Sequence, residues 1–203
     1  MVLMFALRPF LESFVRISYL MDIFFFVIFL SAVYAVSQKR STFIIALVMA
    51  LLLEILIWLG HLTDISSFRT IGSILATIFT GYTATVILSY LFTEDEITGD
   101  AIMGAICVYF LIGLAWAFIF FTLELFQPGS FQMPQGQGTD LSHFSYYSYV
   151  TLTTLGYGDI TPISTQARSL ALLEAIMGQL YIAILVARLV GIHIAQGVSR
   201  NAQ

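Results

Sequence analysis

The segment TLTTLGYGD, residues 151–159, sets hydroxyls, two glycines and a carboxylate side by side in an otherwise apolar chain. A row of backbone carbonyls can replace the hydration shell of a monovalent cation, but in an ordinary strand successive carbonyls point to opposite sides. Alternating the backbone between right- and left-handed regions turns them to one side, and the left-handed positions are cheap only for glycine. Gly156 and Gly158 stand two apart to supply them. Thr154 adds a hydroxyl below the last carbonyl, and Tyr157 turns its ring away to wedge the strand against its surroundings. One strand offers one carbonyl per layer, so enclosing an ion requires several copies around an axis, and the expected assembly is a homotetramer.

Other residues with chemistry of their own are few. Asp22, Glu54 and Glu174 fall inside apolar runs, where a charge is costly and is either paired or functional. At least one ion pair between helices is expected, with Glu54 or Asp22 paired to Arg69 and with Arg16 and Arg168 as further cations. The alternative is a proton- or cation-sensing site coupled to the ion path. His61, His143 and His193 are isolated, and Cys107 lies within an apolar run, so neither a disulfide framework nor a metal site is expected. The acidic turn TEDEITGD reads as a solvated turn with Thr98 as helix N-cap, or as a divalent-cation site. Asp140, His143 and nearby serines lack a nucleophile motif, so no enzyme and no organic cofactor is expected.

The elements around these residues follow from composition. Of 203 residues 59% are hydrophobic and 10% charged, against about 25% charged in soluble domains. This predicts an all-α integral membrane protein with lipid as its surroundings. The eight Lys and Arg form no basic stripe, which excludes nucleic acid as a partner. Because a spanning helix needs about 20 apolar residues, five spans are expected, near Ile17–Ser37, Thr42–Gly60, Ile71–Phe92, Ala101–Phe126 and Ser169–Ile192. Residues 1–12 are an interfacial helix or the stub of a sixth span, and no cleavable signal peptide is evident. QPGSFQMPQGQGTD, residues 127–140, is an exposed loop. Then SHFSYYSYVTLT, residues 142–153, is too short to span and reads as a re-entrant helix with Asp140 or Ser142 as N-cap. Irregular backbone at membrane depth must face protein or a water-filled cavity, so TLGYGD needs a partner other than lipid.

The motif TxxTxGYGD, met by Thr151, Thr154, Gly156, Tyr157, Gly158 and Asp159, resembles the selectivity filter of the tetrameric potassium channel superfamily. The resemblance covers residues 101–191 in the order outer helix, pore helix, filter, inner helix. It implies K+ sites on the carbonyls of Thr154, Leu155, Gly156 and Tyr157 and on the Thr154 hydroxyl, with Gly158 completing the filter and Thr151, Thr153 and Asp159 supporting it. Gly178, twenty residues after Gly158, stands where the family often has a hinge glycine. Two departures are Leu155 for the commoner valine and Val150 where several bacterial members keep a glutamate behind the filter.

On the last helix Gln179, Ile182, Val186 and Val190 recur on one face. If Gly178 aligns with the hinge, Gln179 gives the cavity a polar wall, and Ile182 and Val186 form a hydrophobic gate that closes by dewetting. For Val190, lining and ordinary packing stay equally open. The basic residues divide evenly between the two sides, so orientation comes from the resemblance: the filter loop enters from outside, which places SQKRS and the C-terminus in the cytoplasm of a cell-membrane protein. The expected organisation is a three-helix membrane domain over 1–96, a pore domain over 97–197 and a short tail over 198–203. The span near Ile71–Phe92 has no cation series, so strong voltage gating is not expected. The resulting expectation is passive, K+-selective conduction, with a weakly selective cation channel or a sensor with a vestigial pore as alternatives.

Overall fold

A computed structural model describes residues 40–63, 66–93, 98–134 and 140–201. Five helices and two short strands occur there in the order α1 (Arg40–Thr63), α2 (Ser66–Thr93), α3 (Gly99–Phe126), β1 (Phe131–Gln132), α4 (Leu141–Leu152), β2 (Thr161–Pro162) and α5 (Thr165–Asn201). Contacts divide the chain into two compact units at Gly72–Ser73, a boundary inside α2. Each is described separately.

Among the described residues three helices are long and apolar enough to cross a membrane: Ser67–Thr93, Gly99–Phe126 and Thr165–Ile192. The 28 residues of α3 extend about 42 Å at roughly 1.5 Å per residue, beyond a hydrocarbon core of about 30 Å. The expected second span corresponds to α1, of which Ile44–Leu56 is counted as a shorter apolar helix. The expected first span, with Asp22, lies outside the described residues, as do residues 1–12. Glu54 is half-buried on α1. The expected last span ends where the membrane-capable part of the last helix does, at Ile192, and the helix itself runs on to Asn201.

Thr98 caps α3 as expected: its backbone is extended and its hydroxyl accepts the Ala101 N–H at 3.1 Å. Asp100 adds a negative charge to that first turn, where the helix dipole favours it. At the other end the Gln127 N–H donates to Leu123 O at 2.8 Å. The next turn is organised by a side chain. Glu124, buried in the last turn of α3, accepts the N–H groups of Gly129 at 2.8 Å and Phe131 at 3.2 Å through its two carboxylate oxygens. Phe131 and Gln132 then pair antiparallel with Pro162 and Thr161. Ser130 O accepts the N–H groups of Ile163 and Ser164, so the loops before α4 and after residue 159 are bound together.

The core of the second unit is aromatic. Trp116, Phe120, Phe121, Phe131, Phe144, Tyr147 and Ile160 pack with Ala167 and Ala171. Phe131 meets Phe120, Phe144 and Tyr147 edge-on, at centroid distances of 5.5, 5.2 and 5.3 Å. Such pairs contribute about 0.5–1.5 kcal/mol each beyond area burial. Phe131 thereby fastens the β1 loop to both α3 and α4, so the stretch expected as an exposed loop over 127–140 is buried at Ser130 and Phe131 and paired as a strand at Phe131 and Gln132.

Candidate ion-conducting site

The helix α4 has 12 residues, about 18 Å at roughly 1.5 Å per residue, too short to cross a bilayer. Asp140 is its N-cap residue by backbone, in an extended conformation, but its side chain makes no capping bond. Instead the Ser142 hydroxyl donates to Asp140 Oδ2 at 2.7 Å. Two close approaches hold the helix in place. At Gly113 on α3 an added Cβ would lie 2.3 Å from the Tyr149 ring, and at Gly178 on α5 it would lie 2.4 Å from the Leu152 carbonyl oxygen. The Tyr109 hydroxyl donates to that same carbonyl at 3.3 Å, and the Tyr149 hydroxyl donates to Phe110 O at 2.9 Å.

The helix ends on the Leu152–Thr153 step, where Thr153 still has right-handed backbone. Beyond it the backbone takes positive φ at every second residue: Thr154 at 59°, Gly156 at 60° and Gly158 at 78°. The two glycines occupy the left-handed positions that their spacing suggests. Thr154 is the residue that composition does not reveal, since a left-handed non-glycine residue costs about 1–2 kcal/mol. Its hydroxyl donates to Thr153 O at 2.7 Å, and its N–H donates to Thr151 O at 2.9 Å. The start of the segment is fixed by one acceptor, because Val150 O receives the N–H groups of Leu155 at 2.9 Å and Gly156 at 3.3 Å.

Residues 153–159 are all exposed in the single chain, with Leu155 at 55% and Tyr157 at 67%. Tyr157 stacks on Tyr146 with ring planes 6° apart and centroids 6.5 Å apart. Tyr146 also hydrogen-bonds Asp159; burial first, then this bond and the carboxylate's charge, push its phenol up to about 12. Ile160 re-enters the aromatic core directly afterwards. The segment is thus anchored at both ends and uncovered between them.

Of the inner-helix residues singled out from sequence, Gln179, Ile182 and Val186 are exposed in the single chain. Gly178 is buried, its helix continues unbroken through it, and its lack of a side chain serves the approach to Leu152. The buried stripe of α5 is Ala167, Ala171, Glu174 and Gly178, continuing to half-buried Tyr181, whose hydroxyl donates to Ala105 O at 2.7 Å. Glu174 has Ser148 as its hydrogen-bond partner rather than an arginine. Near the other end of α5, Arg188 lies over the Phe92 ring at 5.2 Å. Sequence reasoning missed Glu124, the β1–β2 ladder and the glycine at 113. A carboxylate and a glycine inside the run 101–126 were the available signals.

Comparison with curated proteins and with solved structures finds no significant match. A family model described as an ion channel matches residues 104–193. The match begins in α3, includes α4 and the segment with alternating positive φ, and ends in α5. This stretch, in a chain with three membrane-capable helices among its described residues, is therefore similar to an ion-channel domain, and the similarity supports passive ion conduction by a membrane protein.

Proposed function

We propose that the protein is a homotetrameric, K+-selective channel of the cell membrane. The observation that carries this reading is the period-two run of positive φ at Thr154, Gly156 and Gly158 on a segment uncovered in the single chain. Alternation of this kind lets consecutive carbonyls share a side, and four copies around an axis then enclose a dehydrated cation. Thr154, Leu155, Gly156 and Tyr157 supply the K+ ligands, Gly158 completes the row, and Thr151, Thr153 and Asp159 support it. Only 11% of the apolar window of α5 is buried in the single chain. Neighbouring copies and lipid account for that surface.

Behind the row lies a cavity walled by Gln179, with Ile182 and Val186 forming a hydrophobic constriction toward the cytoplasm. Gly178 contributes close packing against α4. The carbonyl end of α4 adds a partial negative charge favourable to a cation. The N-terminal membrane helices carry no cation series in α2, so the channel is not steeply voltage-gated. The test is K+ flux into liposomes containing the purified chain, with Gly156→Ala as comparison. Wild type passes K+ and the variant does not; equal flux from both would refute the assignment of the segment.

A further inference from the structure

The buried positions by which α5 packs on its neighbours, Ala167, Ala171, Glu174 and Gly178, are small residues except one. Glu174 is fully buried there, at 0% exposure. Its Oε1 lies 2.5 Å from Ser148 Oγ on α4. Ser148 Oγ in turn lies 2.6 Å from the Gly113 carbonyl oxygen on α3. The other carboxyl oxygen, Oε2, is buried with no hydrogen-bond partner among the described residues.

A serine hydroxyl has one proton, and a carbonyl and an ionised carboxylate are both pure acceptors. Ser148 therefore cannot satisfy Gly113 O and an ionised Glu174 together. In the ionised form one oxygen would face a lone pair at hydrogen-bond distance, while Oε2 stayed bare in an apolar interior, and a buried charge left unpaired is among the costliest arrangements in a protein. A proton on Oε1 resolves the whole set. Glu174 then donates to Ser148 Oγ, Ser148 donates to Gly113 O, and the uncharged Oε2 is left as a weak acceptor.

We propose that Glu174 is a neutral acid and the first donor in a chain, Glu174 to Ser148 to Gly113, that ties three helices together and makes conduction depend on that proton. The dependence of conduction rests on the channel reading above; the neutrality of the acid does not. Glu174 is a positioning residue in this scheme. Ser148 lies two residues before Val150, whose carbonyl holds Leu155 and Gly156, and Leu152 beyond it is the contact point of Gly178. Loss of the proton turns the Ser148 hydroxyl toward the carboxylate, frees Gly113 O, and loosens α4 at the end from which residues 153–159 depart.

Among the described residues, the titratable groups that face the carboxyl are engaged elsewhere. From α3, Tyr109 faces it, and from α4, Tyr147 and Tyr149 do. Tyr109 and Tyr149 donate to Leu152 O and Phe110 O, and Tyr147 is bonded to Thr151. On α5 itself Arg168 is more than a turn away and donates its Nε–H to Pro162 O.

The test uses the full chain in liposomes, with infrared spectra and K+ flux recorded on the same preparation as pH is raised from neutral. The expected result is a carbonyl stretch of a protonated carboxylic acid at neutral pH, absent in Glu174→Gln, that disappears at alkaline pH together with K+ flux. Glu174→Gln keeps a donor without the titratable proton, so it conducts and lacks the alkaline loss. Ser148→Ala leaves the acid in place and shifts its band to higher frequency by removing the acceptor. Absence of the acid band at neutral pH, or identical alkaline flux profiles in wild type and Glu174→Gln, would overturn the inference. A titrating band without K+ flux at any pH would instead refute the channel reading and leave the acid assigned.

Discussion

Replacing Gly178 by alanine separates a packing glycine from a hinge glycine. The added Cβ would lie 2.4 Å from Leu152 O, 2.9 Å from Leu152 Cδ1 and 3.2 Å from the Leu152 carbonyl carbon. Ordinary C···O contacts begin near about 3.3 Å, so α4 and α5 must part by something approaching 1 Å, and the obstacle is backbone that cannot swing aside. Overpacking of this kind costs about 1–3 kcal/mol. Against it, alanine in a helix interior is about 1 kcal/mol better than glycine, which leaves a net loss of up to about 2 kcal/mol. For a chain of this size that is a fall in Tm of up to about 8 °C. The control is Gly81→Ala in α2, where nothing lies within 4 Å of the added carbon and only the propensity gain remains. The assay is thermal unfolding in detergent followed by tryptophan fluorescence. Gly178→Ala as stable as Gly81→Ala would refute the close approach, and an unchanged Tm with altered gating would restore the hinge.

Further outcomes follow from the same geometry. Gly156→Ala and Gly158→Ala meet nothing within 4 Å, so the strain is confined to φ, about 1–2 kcal/mol each; both fold by fluorescence but lose K+ flux. Glu124→Ala leaves the Gly129 and Phe131 N–H groups without their acceptor, at about 1–3 kcal/mol for the buried Phe131 group, while water can reach the exposed Gly129, and lowers Tm. The Tyr146 phenol, raised from 10.0 to about 12, binds its proton more tightly in the folded than in the unfolded chain. Its contribution is therefore complete below pH 10 and is lost as pH rises through 12, and Tyr146→Phe removes this part of the alkaline destabilisation in a pH series of Tm values.

Long apolar runs made α2, α3 and α5 legible, because a 20-residue apolar segment has few alternatives. The short α4 was legible for the converse reason: a polar, aromatic stretch between two spans is too brief to cross. Gly156 and Gly158 announced their backbone through residue type. Thr154 did not, since its left-handed φ comes from the hydrogen bonds around it rather than from any intrinsic preference. Gly178 was visible as a glycine, but its role depends on what crosses it, and a crossing point between helices leaves no local mark. Glu174 was recognisable as a buried acid, whereas its partner was not. Apolar runs with scattered acids and arginines suggested an ion pair somewhere among them, with Glu54 or Asp22 and Arg69 foremost, whereas Glu174 meets a serine on α4 that itself lies beside a carbonyl on α3.

The central claim is that four copies of residues 154–158 form a row of sites fitted to dehydrated K+. Its most direct test is the reversal potential of single-channel current through a planar bilayer with K+ on one side and Na+ on the other. No measurable reversal is expected within the accessible range, because Na+ carries almost none of the current. A reversal near zero would contradict it.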